Sequence, residues 1–239
     1  MNFKFIPNLI TLLNLFLGCI VVLLLIENNL EVKYIFIFSA MCLVLDYLDG
    51  FIARKLNLKS DIGLQLDSLA DLVSFGLVPG ILMYNMFNAA PSSFFESISY
   101  SFLPFTGFFI TLCSAYRLAR FNTRKSSTDY FLGLPTPANT LLIYSLSIMS
   151  VEKGILSKII LNNNSLILIT LMSSILLIAN LKLMNFKFKT MSVRKNKLRF
   201  LIILISASLL ILLDIYAIPI IILFYVLISV MNFYFFKTR

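Results

Sequence analysis

Apolar runs separated by short polar breaks cover almost the whole chain. Their lengths predict eight helices, at about 7–26, 32–54, 63–87, 99–121, 136–151, 156–180, 198–214 and 217–236. The last two meet where Asp214 and Pro219 mark a tight turn, the alternatives being one long broken helix or a re-entrant pair. No small-residue cleavage pattern follows the first apolar run, which therefore reads as a retained helix rather than a signal peptide.

Composition agrees with the pattern. The 239 residues are 59% hydrophobic and 13% charged, with a mean hydropathy of +0.94. The expected fold is an all-α, polytopic membrane helix bundle. Neither a repeat nor a Gly-, Ser- or Pro-rich linker divides the chain, so a single integral membrane domain is expected over 1–239.

The net charge of +9 does not indicate nucleic acid, because the basic residues fall between apolar runs, where anionic lipid headgroups are their neighbours. With the N-terminus inside, 17 of the 20 Lys and Arg residues lie on the cytoplasmic side, leaving Lys33, Lys153 and Lys158 outside. Both termini are thus expected in the cytoplasm, with the basic stretch KFKTMSVRKNK, 187–197, as a lipid-facing cytoplasmic loop.

Histidine is absent, which removes imidazole bases and histidine-ligated metals. Cys19, Cys42 and Cys113 are odd in number, follow no metal or redox spacing, and read as small buried hydrophobes. Acid–base work falls to carboxylates.

Four of these stand out. Asp46, Asp49, Asp67 and Asp71 sit in two apolar segments, in the run DYLDGFIARKLNLKSDIGLQLDSLAD. A carboxylate at membrane depth costs roughly 2.5 kcal/mol or more, so a cluster of four points to a cation site. At about 100° per residue, Asp46, Asp49, Gly50, Ala53 and Arg54 share one helix face, and Gly63, Asp67, Asp71 and Ser74 share a face of the next. The short connection makes these helices antiparallel neighbours, so the acid pairs converge. Hard oxygen ligands select Mg²⁺, Mn²⁺ or Ca²⁺, and four carboxylates suit two divalent ions. Asp46 lies about 12 Å of helical rise from Arg54, which sets the acids just beneath the cytoplasmic interface, where a lipid phosphate meets them. Gly50 and Ala53 clear space on the acid face and Arg54 can fork onto phosphate oxygens, or else the small residues only pack helices and Arg54 only marks topology. A cation transporter or channel would instead carry acids through to the outer face, whereas all four lie at one end.

The run resembles the signature of the CDP-alcohol phosphatidyltransferase family, D-x2-D-G-x2-A-R-x8-G-x3-D-x3-D, met in full by Asp46, Asp49, Gly50, Ala53, Arg54, Gly63, Asp67 and Asp71. Asp61 lies outside the signature and reads as a loop or helix-cap residue. The resemblance implies a six-helix catalytic core, here 1–180, with 181–239 adding the basic loop and two further helices. It implies a binuclear Mg²⁺ or Mn²⁺ site held by Asp46, Asp49, Asp67 and Asp71, with Asp71 also taking the acceptor hydroxyl proton. Gly50, Ala53 and Arg54 would hold the CDP group. Asn8 and Thr11 resemble residues near the nucleotide and phosphates, or simply start the first helix.

The stretches FIPNLITLLNLFLGC, GLQLDSLADLVSFGLVPG, SAYRLARFNT and FLGLPTPA resemble the membrane-embedded bacterial branch that uses L-serine as acceptor. That implies transfer of the phosphatidyl group of CDP-diacylglycerol to serine, giving phosphatidylserine and CMP at the cytoplasmic face of a bacterial inner membrane. Another alcohol, glycerol 3-phosphate or an inositol phosphate, is the alternative acceptor. Arg117, Arg120 and Asn122 close the fourth predicted helix and are the candidate acceptor-binding residues, the two arginines otherwise being positive-inside charges. Gly133, Pro135 and Pro137 form a rigid approach to the fifth helix. The expected partners are the two substrates and membrane lipids, with a homodimer possible.

Overall fold

The computed structural model describes residues 5–27, 30–58, 60–91, 98–123, 130–152, 154–186 and 196–236. The protein is an all-α polytopic membrane bundle. The helices are α1 (Ile6–Glu27), α2 (Val32–Lys55), α3 (Asp61–Leu72), α4 (Val78–Ala89), α5 (Phe109–Thr123), α6 (Thr136–Val151), α7 (Ile155–Ile160), α8 (Asn163–Ile178), α9 (Lys197–Leu213) and α10 (Ala217–Met231). Among the described residues, Ile6–Glu27, Val32–Lys55, Asp61–Ala89, Phe102–Thr123 and Lys197–Tyr234 are long and apolar enough to cross a membrane. Of the basic residues counted for orientation, Lys4, Lys59, Arg124, Lys125, Lys153, Lys187, Lys189, Arg194, Lys195, Lys237 and Arg239 lie outside the described residues, as does most of the loop 187–197.

A π turn at Val73–Leu77 joins α3 to α4 without ending the helix. This turn packs closely on its neighbours. Ser74 sits where a Cβ on Gly18 of α1 would be 2.5 Å from its Oγ, and Thr111 of α5 donates to the Gly76 carbonyl at 2.9 Å. Gly80 on α4 meets Thr111 in the same way, a Cβ there colliding with Thr111 Oγ1. Small residues and hydroxyls thus bring these backbones together, as expected where lipid supplies no hydrophobic drive between helices.

The helix predicted over 156–180 is divided. α7 stops at Ile160 and α8 restarts at Asn163, with the Asn162 side chain accepting from the Asn164 amide at 2.9 Å. Three consecutive asparagines offer the backbone side-chain partners in place of helix, which breaks the apolar run. Near Asp214–Tyr216 the chain turns between α9 and α10, with Asp214 at φ +50°, so this stretch is two helices packed on each other rather than one.

A two-stranded antiparallel ribbon was not foreseen. β1 (Tyr130–Leu132) pairs with β2 (Lys182–Met184), Tyr130 opposite Met184 and Leu132 opposite Lys182. Gly133 follows at φ +69°, hemmed in by the carbonyls that end α8: a Cβ there would lie 2.5 Å from Leu177 O. Only glycine suits both the dihedral and the space. The main core gathers α1, α2, α4, α5, α6 and α8 around Tyr144, whose hydroxyl bonds Ser39 at 2.5 Å. A second apolar cluster, including Leu134, Leu183, Ile202, Ile222 and Tyr225, ties the ribbon to α9 and α10.

Candidate active site

The acids lie where α1, α2 and α3 meet. α2 ends in a Schellman arrangement: Leu58 N–H reaches Ala53 O at 2.9 Å, Asn57 N–H reaches Arg54 O at 3.4 Å, and Asn57 takes φ +54°. Three residues later Ser60 caps α3, accepting from the Gly63 amide at 3.0 Å. Asp61 is therefore a first-turn residue rather than the cap. With both ends capped, the acids of α2 and α3 come to one place while each helix packs on α1.

One carboxylate oxygen each from Asp46, Asp49 and Asp67 lies within 4.8 Å of the others. Asp71, one turn further along α3, adjoins Asp46 and interacts electrostatically with the other three acids and with Arg117. The compact group thus has three members, and Asp71 interacts both with them and with Arg117. Asp49 is buried and accepts from Thr11 Oγ1 on α1 at 2.5 Å. Asp71 Oδ1 is buried with no hydrogen-bond partner.

The residues expected to face the diphosphate lie on α1 and α2. Arg54 is exposed and curls back over Gly50, its Nη1 3.2 Å from where a Cβ on Gly50 would stand. Gly50 makes room for that guanidinium, which interacts electrostatically with Asp49 and Asp67. Ala53 is half-buried on the same turn. Asn8, at the start of α1, lies against the start of α3, with its Oδ1 3.0 Å from a Cβ built on Gly63. Asn8 of α1 thus lies against α3 and Thr11 against Asp49 of α2, while Arg54 lies over Gly50.

On the far side of Asp71 the three candidate acceptor residues part company. Arg120 donates to Ile178 O at 3.1 Å and to Asn180 Oδ1, so its guanidinium is occupied at the end of α8. Asn122 donates to Ser68 Oγ at 2.9 Å, tying α5 to α3, and its Oδ1 is buried without a partner. Arg117 is different. It is half-buried, its Nε is unpartnered, and it interacts electrostatically with Asp71 and with Tyr225 of α10.

Sequence reasoning missed Asn14, which is fully buried on α1, accepts from Ser74 Oγ at 3.0 Å and leaves its Nδ2 unpartnered. Its spacing of three from Thr11 was the available signal, since it places both on one helix face. Also missed were Thr136 and Asn139 of α6, with Thr136 Oγ1 and Asn139 Nδ2 buried and unpartnered. Interior polar groups are ordinarily bonded, so the unpartnered atoms on α1, α3, α5, α6 and α8 stand out.

The sequence model for CDP-alcohol phosphatidyltransferase matches residues 4–176. The chain is 38% identical over 138 residues to the CDP-diacylglycerol–serine O-phosphatidyltransferase of Bacillus subtilis (strain 168), spanning 56% of this chain and 70% of that one. It is 35% identical over 138 residues to the enzyme of that name from Methanocaldococcus jannaschii, spanning 58% of each. With that of Helicobacter pylori (strain J99) it shares 30% identity over 206 residues, spanning 85% of this chain and 80% of the relative.

Proposed function

The chain belongs to the CDP-alcohol phosphatidyltransferase family, and from that premise we propose that it transfers the phosphatidyl group of CDP-diacylglycerol to the hydroxyl of L-serine, releasing CMP. The observation that carries the reading is that Asp71, beside the cluster of Asp46, Asp49 and Asp67, also interacts with the half-buried Arg117, whose Nε has no hydrogen-bond partner.

A purely carboxylate donor set and the orphaned Asp71 Oδ1 fit hard divalent cations. Asp46, Asp49, Asp67 and Asp71 would hold two Mg²⁺ or Mn²⁺ ions, which supply neutralisation of the diphosphate and of the charge on departing CMP. Arg54 forks onto phosphate oxygens, with Gly50 and Ala53 leaving the backbone open to the nucleotide. Thr11 fixes Asp49 by its hydrogen bond, and Asn8, against the start of α3, would contact the nucleotide.

Arg117 pairs with the serine carboxylate and so orients the hydroxyl towards Asp71. Asp71 accepts the hydroxyl proton as the serine oxygen bonds to the lipid-side phosphorus and the bond from that phosphorus to the CMP oxygen breaks. With no histidine in the chain and the acids engaged, a single displacement is expected, without a phosphatidylated protein. A phosphorylated alcohol would need further free cations beside Arg117, and Arg120 is already bound to α8. Serine, with one carboxylate, matches one arginine.

The family match ends at residue 176, which supports a catalytic core over 1–180 and an addition over 181–239. The excess of basic residues at one side supports a site facing the cytoplasm from a bacterial inner membrane, with both termini cytoplasmic. The test is CMP release from CDP-diacylglycerol by purified protein with serine, glycerol 3-phosphate, inositol phosphate and no acceptor. Release with serine alone is expected. Equal release without any acceptor, or only with a phosphorylated one, would overturn the assignment.

A further inference from the structure

The acids come from α2 and α3, yet these two helices make little direct contact among the described residues; each packs instead on α1. α1 meets the two carboxylate pairs through separate hydrogen bonds. On the α2 side, Thr11 Oγ1 donates to Asp49 at 2.5 Å. On the α3 side, Ser74 Oγ, in the π turn, donates to Asn14 Oδ1 at 3.0 Å. Further along, Asn85 Nδ2 of α4 donates to Leu25 O at 2.9 Å. The last two bonds both span 60 residues, so α1 and the continuous helix Asp61–Ala89 run side by side in one direction and in constant register. Thr11 and Asp71 each lie three residues, about 4.5 Å of rise, before the Asn14–Ser74 pair, and so stand level.

Packing alone does not account for Asn14. It is fully buried with Nδ2 unpartnered, at a cost of about 1 to 3 kcal/mol that an apolar side chain of similar size avoids. Nor does Ser74 need the amide for satisfaction, since its hydroxyl also reaches Asn14 O at 3.4 Å. What the side-chain bond adds is a fixed depth and rotation of α3 against α1. Asp67, Asp71 and Ser74 share one face of their helix, so whatever holds Ser74 sets where the two acids point. We infer that Asn14 is a positioning residue for the acid site: its bond to Ser74 locks α3 to α1 in the register at which Asp67 and Asp71 meet the pair on α2 that Thr11 holds. α1 is thereby the template on which two helices assemble one cation site. The inference rests on the divalent-ion reading of the acids given above.

The test titrates chelator-treated protein, without substrate, with Mg²⁺ and with Mn²⁺, and reads an apparent Kd from the rise of the thermal midpoint with ion concentration. Asn14→Leu removes the amide. Ser74→Ala removes the hydroxyl without adding bulk beside Gly18, and carries the test by itself if the leucine variant does not fold. Neither removes a carboxylate, yet each should weaken ion affinity roughly 10- to 100-fold, the range for partners that orient metal ligands. The double variant should bind no worse than the weaker single, because both changes break the same bond. Asn85→Ala breaks the other bond between the same two helices, away from the acids. It should lower the ion-free midpoint and leave ion affinity within about twofold.

Unchanged ion affinity in Ser74→Ala or in a folded Asn14→Leu, additive losses in the double variant, or an equal loss in Asn85→Ala would each overturn the positioning role. Failure of both single variants to fold would overturn it too, by making the pair a structural requirement. A wild-type midpoint that rises with the ion while the variants respond alike would sink this inference alone. A wild-type midpoint that neither ion moves would remove the divalent-ion reading and this inference with it.

Discussion

At the scale of single residues, the two arginines of α5 make opposite predictions, although the sequence presents them alike. Arg117 faces Asp71 with an unpartnered Nε, whereas Arg120 holds the carbonyl end of α8. Arg117→Ala should lower kcat/KM for serine by roughly 10- to 150-fold, or about 1.5 to 3 kcal/mol, with little change in the KM for CDP-diacylglycerol. Arg120→Ala should instead lower the thermal midpoint by a few degrees, at roughly 2 to 4 °C per kcal/mol, as α8 loses its cap. Steady-state kinetics and a melting curve on each variant check both; a serine-specific defect in Arg120→Ala would reverse the assignment. Asp67→Asn and Asp46→Asn each remove one charge from the acid group, and each should abolish CMP release while the protein still inserts and extracts as a monodisperse species. Near-normal turnover in either would remove it from the site. The acids were legible in the sequence because apolar surroundings give a carboxylate no ordinary reason to be there. Which arginine is free was not, because that depends on a carbonyl 58 residues further on, at Ile178.

At the scale of elements, hydrophobic run length located the helices well: 136–151 is α6 end for end, and 32–54 falls one residue short of α2. What failed was local. Strands of three residues, YFL and KLM, are too short to show alternation, and their pairing is fixed by Gly133 and by α10 rather than by their own pattern. The division of α7 from α8 followed asparagine capping inside an otherwise apolar segment. Gly133 makes the ribbon testable. Gly133→Ala would place a Cβ 2.5 Å from Leu177 O at a φ of +69°, so both sterics and backbone oppose it. A loss of roughly 1 to 3 kcal/mol is expected, read as a lower thermal midpoint in detergent. An alanine variant as stable as wild type would show that the ribbon does not constrain the bundle.

At the scale of the whole molecule, the acids decide how the bundle holds together. Asp46 and Asp49 belong to α2, Asp67 and Asp71 to α3, and Thr11 of α1 bonds Asp49, so three helices converge on a point of like charge. Such a point repels itself unless a cation is shared across it. A divalent ion binding only the folded bundle stabilises it by RT ln(1 + [L]/Kd), or about 2.7 kcal/mol at a concentration a hundred times Kd. Added Mg²⁺ or Mn²⁺ should therefore raise the thermal midpoint of chelator-treated protein without any substrate present, by several degrees at roughly 2 to 4 °C per kcal/mol. Asp67→Asn should lose most of that rise, while Arg117→Ala, which removes no carboxylate, should keep it. Chelation should also abolish CMP release, and returning the ion should restore it. Full turnover after exhaustive chelation would end the divalent-ion proposal; a midpoint equally raised in wild type and Asp67→Asn would mean that the ion binds elsewhere on the protein.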